Sequence, residues 1–273
     1  MGRATLRAVA VEPRPAASVV LIRPGTATPL ETWVIRRARA MRFLGGYYAF
    51  PGGKVDLADR QPDALARVHG LGPDEARARL GGTDDVPALA YWIAAVRELF
   101  EETGLLLAVD PAGRPLEAER PGLAARLEAH RLALVRGECS LTGVLAVEGW
   151  RADLAPLAYL AQFITPPSSP IRFSARFFLC PVPLGQGPRL ITGEMSEACW
   201  VAPAVAYAHF RAGEWPMAEP AEYTMQYLAQ FDTYEAVWRN HADGRHKFHG
   251  IIDRLDAARY YLIDWDRLTG TCA

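Results

Sequence analysis

Three carboxylates, Glu98, Glu101 and Glu102, crowd little more than one helical turn in a stretch whose centre reads Arg97-Glu98-Leu99-Phe100-Glu101-Glu102-Thr103-Gly104-Leu105. On a helix their spacing of i, i+3 and i+4 places them on one face. Like charges at that spacing repel, so helix stability gives no reason to gather them. A divalent cation does, because Mg²⁺ takes hard oxygen ligands and shares them with substrate phosphates. Arg97 stands four residues before Glu101 and can pair with it, leaving the other carboxylates for metal. Trp92, Ala95, Val96 and Leu99 recur at i, i+3, i+4 and i+7, the pattern of a face packed on a core. Gly104 sits where such a helix needs a left-handed stop. A solvated acidic face explains an isolated Glu-x-x-Glu-Glu equally well, so the flanking residues have to decide.

Those flanks resemble the Nudix box. Arg97-Glu98-Leu99-x-Glu101-Glu102-x-Gly104-Leu105 is similar to its second half, Arg-Glu-apolar-x-Glu-Glu-x-Gly-apolar. The first half in that family is Gly, five residues, then Glu, and it ends seven residues before the Arg. Gly53, then Lys54-Val55-Asp56-Leu57-Ala58, then Asp59 fits it within Phe50-Pro51-Gly52-Gly53, with Asp59 in place of the family's Glu. The spacer from Asp59 to Arg97 is far longer than seven, so residues 60–86 read as an insertion between the halves. Such an insert is cheap, since loop-closure entropy grows only logarithmically with length.

Two further likenesses flank the box. Arg37, Arg42, Gly46 and Phe50-Pro51-Gly52-Gly53 keep the spacings of five, four and four seen in the signature of coenzyme A-directed Nudix enzymes, with Ala38 where that signature has Ser. Arginines near a phosphate site make chemical sense, because the guanidinium fork matches phosphate oxygens. Arg36, Arg37, Arg39 and Arg42 are also readable as surface residues of an arginine-rich chain. Downstream, Trp150, Thr165-Pro166-Pro167, Arg172-Phe173, Phe177-Phe178 and Glu194-x-x-Glu197-x-x-Trp200-Val201 are similar to the region after the box in eukaryotic coenzyme A diphosphatases whose box is also interrupted.

The resemblance implies an α/β fold, the Nudix α/β/α sandwich with a mixed sheet between helices, carrying helical insertions and a helical C-terminal extension. It places a Nudix domain over residues 1–215, with the insertion at 60–86 and a helical elaboration at 111–147. Residues 216–273 form the extension, packed on the same domain. It further implies Mg²⁺ or Mn²⁺ held by Glu98, Glu101 and Glu102, with Arg97 orienting Glu101 and either Glu98 or Glu197 taking the proton from water. Arg37, Arg42, Gly46, Phe50, Gly52 and Gly53 fall on the substrate side. The implied reaction is hydrolysis of coenzyme A or an acyl derivative to 3′,5′-ADP and 4′-phosphopantetheine. ADP-ribose or NADH is the alternative substrate, and a non-hydrolytic nucleotide sensor the alternative class.

Composition sets outer bounds. Of 273 residues half are apolar, and the formal net charge is -1, which argues against a nucleic-acid partner held by bulk electrostatics. Only Lys54 and Lys247 are lysines. The four cysteines (Cys139, Cys180, Cys199, Cys272) lack metal or redox spacing, which with no secretory signal points to a reducing cytoplasm. Apolar runs are too short to cross a bilayer, so no membrane partner is expected. A homodimer is a prior only.

The elements that must hold the site begin with strands. Short apolar segments at Leu6–Val11, Ala17–Ile22 and Thr32–Arg37 predict them, continued by Tyr47–Phe50. The insertion predicts helices at Pro62–Val68 and Pro73–Leu80, each opened by proline, with His69 as a surface residue. A strand is expected at Leu105–Val109, a helix from about residue 117 to 136, and a short one over Leu141–Val147. Strands come next at Leu157–Ile164, Ile171–Val182 and Glu194–Val201, then a helix from Pro203. Helices from Glu219 and Tyr234 precede His246-x-x-His249, assigned to surface or dimer packing, and a tail at Ile251–Leu268.

Overall fold

The computed structural model describes residues 11–25, 28–41, 44–81, 86–116, 121–191, 193 and 195–241. The expected strand at Leu6–Val11 (all but Val11), Glu194, Cys272, the His246/His249 pair and the Ile251–Leu268 tail lie outside these residues.

The central strand is β1, Arg14–Arg23. Its alternation serves two cores at once: Ala17, Val19 and Leu21 turn to one, Val20 and Ile22 to the other. A strand covered on both faces needs a near-continuous apolar run. Parallel to β1 lies β9, Phe173–Pro181, in register from Arg14↔Phe173 to Ile22↔Pro181. Beyond β9 comes antiparallel β8, Ala158–Ile164. The opposite edge of β1 is shared: β2, Glu31–Arg37, pairs at Ile22 and Arg23, and β4, Gly52–Lys54, pairs at Ala16 to Ser18. β3, Tyr48–Ala49, joins β2, and β10, Met195–Val201, closes the sheet outside β2. The mixed sheet therefore runs β10-β2-β1-β9-β8.

Two short helices, α1 (Pro62–Ala66) and α2 (Pro73–Leu80), come from the insertion. Between them β5, Val68–His69, replaces the last predicted residue of the first helix and adds its successor. The long helix α3, Ala88–Thr103, covers the first face of the sheet. Trp92 seats it: the indole lies 4.7 Å from the Phe178 ring and donates to Leu157 O at 3.1 Å. The expected apolar stripe is present, yet every residue from Leu89 to Phe100 is buried, Arg97 and Glu98 included. The reason is the insertion. Ala64, Ala76 and Leu80 pack into the same core as Ala90, Ile93 and Leu99, so α3 has a second apolar flank against α1 and α2.

Of the strand expected at Leu105–Val109 only Ala108–Val109 forms, as β6. Helices α4, Leu123–Val135, and α5, Leu141–Glu148, come next, and β7, Arg151–Asp153, runs antiparallel to β6 and parallel to β5. This small sheet sews the insertion to the body. On the second face of the main sheet lie α6 (Pro203–Arg211), α7 (Glu219–Leu228) and α8 (Tyr234–His241), burying Ala206, Ala221, Met225, Leu228 and Val237 against Val20, Leu160 and Phe163. No helix among the described residues is long and apolar enough to cross a membrane. Cys139, Cys180 and Cys199 are free thiols.

Candidate active site

Helix α3 and strand β4 meet at the acidic turn. Gly104 ends α3 in the left-handed conformation at φ 75°, with its N–H on Phe100 O at 2.9 Å, as a helix stop requires. That termination sets the turn of Glu101 and Glu102 at the helix end, beside the β4 backbone. Gly52 N–H donates to Glu102 Oε2 at 2.9 Å. A Cβ on Gly53 would fall 2.4 Å from Glu98 Oε1, and one on Gly52 would fall 2.4 Å from Ala17 O. At Gly52 the β1 backbone leaves no room for a side chain, whereas a side chain at Gly53 would have to displace the Glu98 carboxylate.

Arg97 is the hub. It is 5% exposed, and its guanidinium donates to Asp59 (Nε–Oδ1 3.1 Å, Nη2–Oδ2 3.0 Å), to Glu98 Oε1 at 2.9 Å, to Glu101 Oε1 at 3.3 Å and to Lys54 O at 2.7 Å. Asp56 lies 3.7 Å away and its N–H donates to Asp59 Oδ2 at 2.9 Å. The expected Arg97–Glu101 pair is therefore one bond among several. The larger bond set goes to Asp59 and Lys54, so Arg97 ties the two halves of the motif across the insertion.

Four carboxylates around one guanidinium leave an excess of negative charge. Burial pushes Glu98 up to about 7, opposed by Arg97 and reinforced by Glu101 and Asp59. Burial likewise raises Glu101 and Asp59 against the pull of Arg97. Burial alone would lower Arg97, but attraction to Glu98, Asp59 and Glu101 raises it further. One guanidinium offsets only part of the cost of burying this many acids.

The chemistry of that donor set fits a hard divalent ion: oxygen ligands only, with charge in surplus. It is not a finished cage. Among the described residues no three His, Cys, Asp or Glu side chains are already arranged to hold a metal. Mg²⁺ is ordinarily bound through one or two carboxylates, several waters and substrate phosphates.

The remaining predicted residues divide. Gly46 closes the loop after β2, at φ 84° with its N–H on Arg37 O at 3.0 Å, and its carbonyl accepts from Arg36 Nε at 3.2 Å. Arg37 is half-buried at the end of β2, its N–H on Tyr47 O at 2.9 Å. Arg42 lies outside the described residues. Phe50 is a core residue, 6% exposed and edge-on to Phe177 at 6.2 Å, where it seats the turn into β4.

Glu197 is the main correction. A β-bulge falls between Met195, paired with Arg37, and Glu197, paired with Arg36. One extra residue reverses the facing of the rest of the strand. Met195 thus joins the α3-side core, while Glu197 turns to the other face with Cys199 and Val201. There it meets Arg36 Nη1 at 3.3 Å and Tyr48, whose hydroxyl its charge and hydrogen bond help to raise after burial. Tyr48 in turn stacks on Trp215 at 4.0 Å, and Arg36 lies over the Tyr48 ring. The structure joins Glu197 to this cluster and not to the α3 carboxylates. Sequence reasoning gives Arg36 and Tyr48 no role beside Glu197, since nothing in strand alternation signals a bulge. It treats Asp59 only as a departure, although the spacing from Gly53 is the available signal for a partner to Arg97.

Known proteins resemble this chain over most of its length. A family model described as the NUDT19 Nudix domain matches residues 13–228. The acyl-coenzyme A diphosphatase NUDT19 of Homo sapiens is 30% identical over 269 residues, covering 80% of this chain and 69% of that protein. Putative nudix hydrolase 7 of Caenorhabditis elegans is 28% identical over 222 residues, covering 81% of this chain. The chain spans 62% of the length of that worm relative. Among solved structures, a NUDIX hydrolase from Alicyclobacillus acidocaldarius superposes with a TM-score of 0.67 at 31% identity, covering 84% of this chain and 96% of that one.

Proposed function

The chain belongs to the Nudix hydrolase family, in its NUDT19 Nudix domain group, and from that premise we propose that it is a metal-dependent diphosphatase acting on coenzyme A or an acyl-coenzyme A. The observation that carries the reading is the acidic turn itself: Glu98, Glu101 and Glu102 on α3, braced by Arg97 and by the glycine backbone of β4. A bound Mg²⁺ or Mn²⁺ would neutralise the diphosphate and make a bound water a better nucleophile at neutral pH. Glu98, Glu101 and Glu102 are the residues that would hold it.

The chain's own groups do the rest. Arg97, fixed by Asp59 and the Lys54 carbonyl, holds Glu98 and Glu101 in place so that they need no reorganisation when the diphosphate arrives. Of the two candidate bases, Glu98 is the one on this helix, with Oε1 on Arg97; Glu197 faces the other side of the sheet. On this reading Glu98 takes the proton from the attacking water. The P–O–P link breaks, and the two phosphate products are 3′,5′-ADP and (acyl-)4′-phosphopantetheine.

The naming of the human relative as an acyl-coenzyme A diphosphatase, together with the Arg37, Arg42, Gly46 and Phe50 spacing, supports the substrate choice. Incubating the chain with Mg²⁺ and coenzyme A, an acyl-coenzyme A, ADP-ribose and NADH in parallel tests it. Release of 3′,5′-ADP from the first two, well above turnover of the others, is expected. Preference for ADP-ribose or NADH would refute the substrate, and turnover of none would refute the enzyme.

A further inference from the structure

The end of α3 is held by an arginine that no motif contains. A helix leaves its last carbonyls without partners, and three of these have specific donors. Phe100 O accepts from Gly104 N–H at 2.9 Å, Thr103 O from Arg189 N–H at 3.0 Å, and Glu101 O from Arg131 Nη1 at 3.1 Å. Arg131 comes from α4 and is 5% exposed. Glu128, one turn earlier, grips it in a two-point pair, Nε–Oε2 3.1 Å and Nη2–Oε1 2.6 Å. Glu128 also accepts from Arg189 Nη2 at 2.9 Å, and the Arg189 guanidinium lies where a Cβ on Gly104 would fall, 2.7 Å from Nη2. Glu101 is thus fixed twice, by Arg97 at its carboxylate and by Arg131 at its carbonyl.

We propose that Arg131, oriented by Glu128, is a positioning residue for the Glu101–Glu102 turn, setting the carboxylates for the cation and the diphosphate from outside the motif. Burying a guanidinium at this point carries a desolvation cost that an apolar residue of similar volume would not. Helix packing alone therefore does not call for it. What an apolar residue lacks is the fork that reaches the carbonyl and the positive charge. That charge faces the negative end of α3, where two more carboxylates already stand. The proposal rests on the reading of Glu98, Glu101 and Glu102 as cation ligands.

The test uses the full chain as wild type, Arg131→Met, Arg131→Lys and Glu128→Gln. Mn²⁺ affinity is read from the free-ion spin-resonance signal, turnover at varied Mg²⁺ gives kcat and KM, and thermal melting reports the fold. Arg131→Met is expected to weaken Mn²⁺ binding roughly ten- to a hundredfold, as partners behind metal ligands typically do, and to lower kcat with little change in substrate KM. Arg131→Lys should recover part of both losses. Should Arg131→Met fail to fold, Glu128→Gln keeps the arginine and is expected to show a smaller loss in the same direction. A folded Arg131→Met, or in its place Glu128→Gln, with wild-type Mn²⁺ affinity and kcat overturns the proposal alone. Wild type that binds no Mn²⁺ removes its premise and the proposal with it.

Discussion

Gly53 and Glu98 compete for one small volume, and the contest explains why the motif has glycine there. A methyl at Gly53 would sit 2.4 Å from Glu98 Oε1, so Gly53→Ala must displace the carboxylate. The expected outcome is a loss of roughly a hundredfold in kcat/KM, the scale of an ångström-sized misplacement, with the melting temperature changed little; unchanged kcat/KM would show that Glu98 has room to move. Glu98 also predicts a pH effect. Its folded carboxyl lies at about 7, above the ordinary 4.5. A carboxyl raised on folding binds its proton more tightly in the folded state, so its contribution to stability is greatest below pH 4.5 and is lost as pH rises through about 7. A cation that binds the folded chain reverses that loss by mass action. Melting with and without Mg²⁺ should show a stabilisation that is small at pH 4.5 and large above pH 7; equal effects at both would contradict this placement of charge.

At the scale of elements, helix α3 is buried on nearly all sides because the insertion covers the flank that the sheet does not. Ala76 of α2 is fully buried in the core that also holds Ile93 and Leu99. Ala76→Arg should therefore destabilise the fold by about 3 kcal/mol, from overpacking plus a buried unpaired charge. Chemical denaturation measures it, and an unchanged midpoint would mean that the insertion is a loose appendage. The identity of α3, its left-handed stop at Gly104 and its apolar stripe are legible in the sequence because periodicity and a glycine C-cap are local signals. The role of the insertion is not, since packing of α2 on α3 depends on contacts distant in sequence. β5 escapes the sequence for the same reason: Val68–His69 is a strand only because β7, more than eighty residues later, pairs with it.

Across the whole molecule the sheet sorts its acidic and basic groups onto two sides. The α3 carboxylates, Arg97 and Asp59 lie with the β1–β4 edge, whereas Glu197, Arg36 and Tyr48 lie with α6 and α7. The bulge between Met195 and Glu197 decides that division, and strict alternation along β10 would have given the opposite answer. The mixed sheet and both helical layers agree with the family likeness read in the motif; the bulge turns Glu197 to the face away from the α3 carboxylates. If the α3 carboxylates perform diphosphate hydrolysis with a divalent ion, removing one of them must stop the reaction without unfolding the chain. The most direct measurement compares wild type with Glu102→Gln for Mg²⁺-dependent release of 3′,5′-ADP from coenzyme A, at matched thermal stability. Loss of activity on the order of a thousandfold is predicted, in line with removing a group that stabilises transition-state charge. Activity within a few-fold of wild type, or release that persists when Mg²⁺ is chelated, would contradict it.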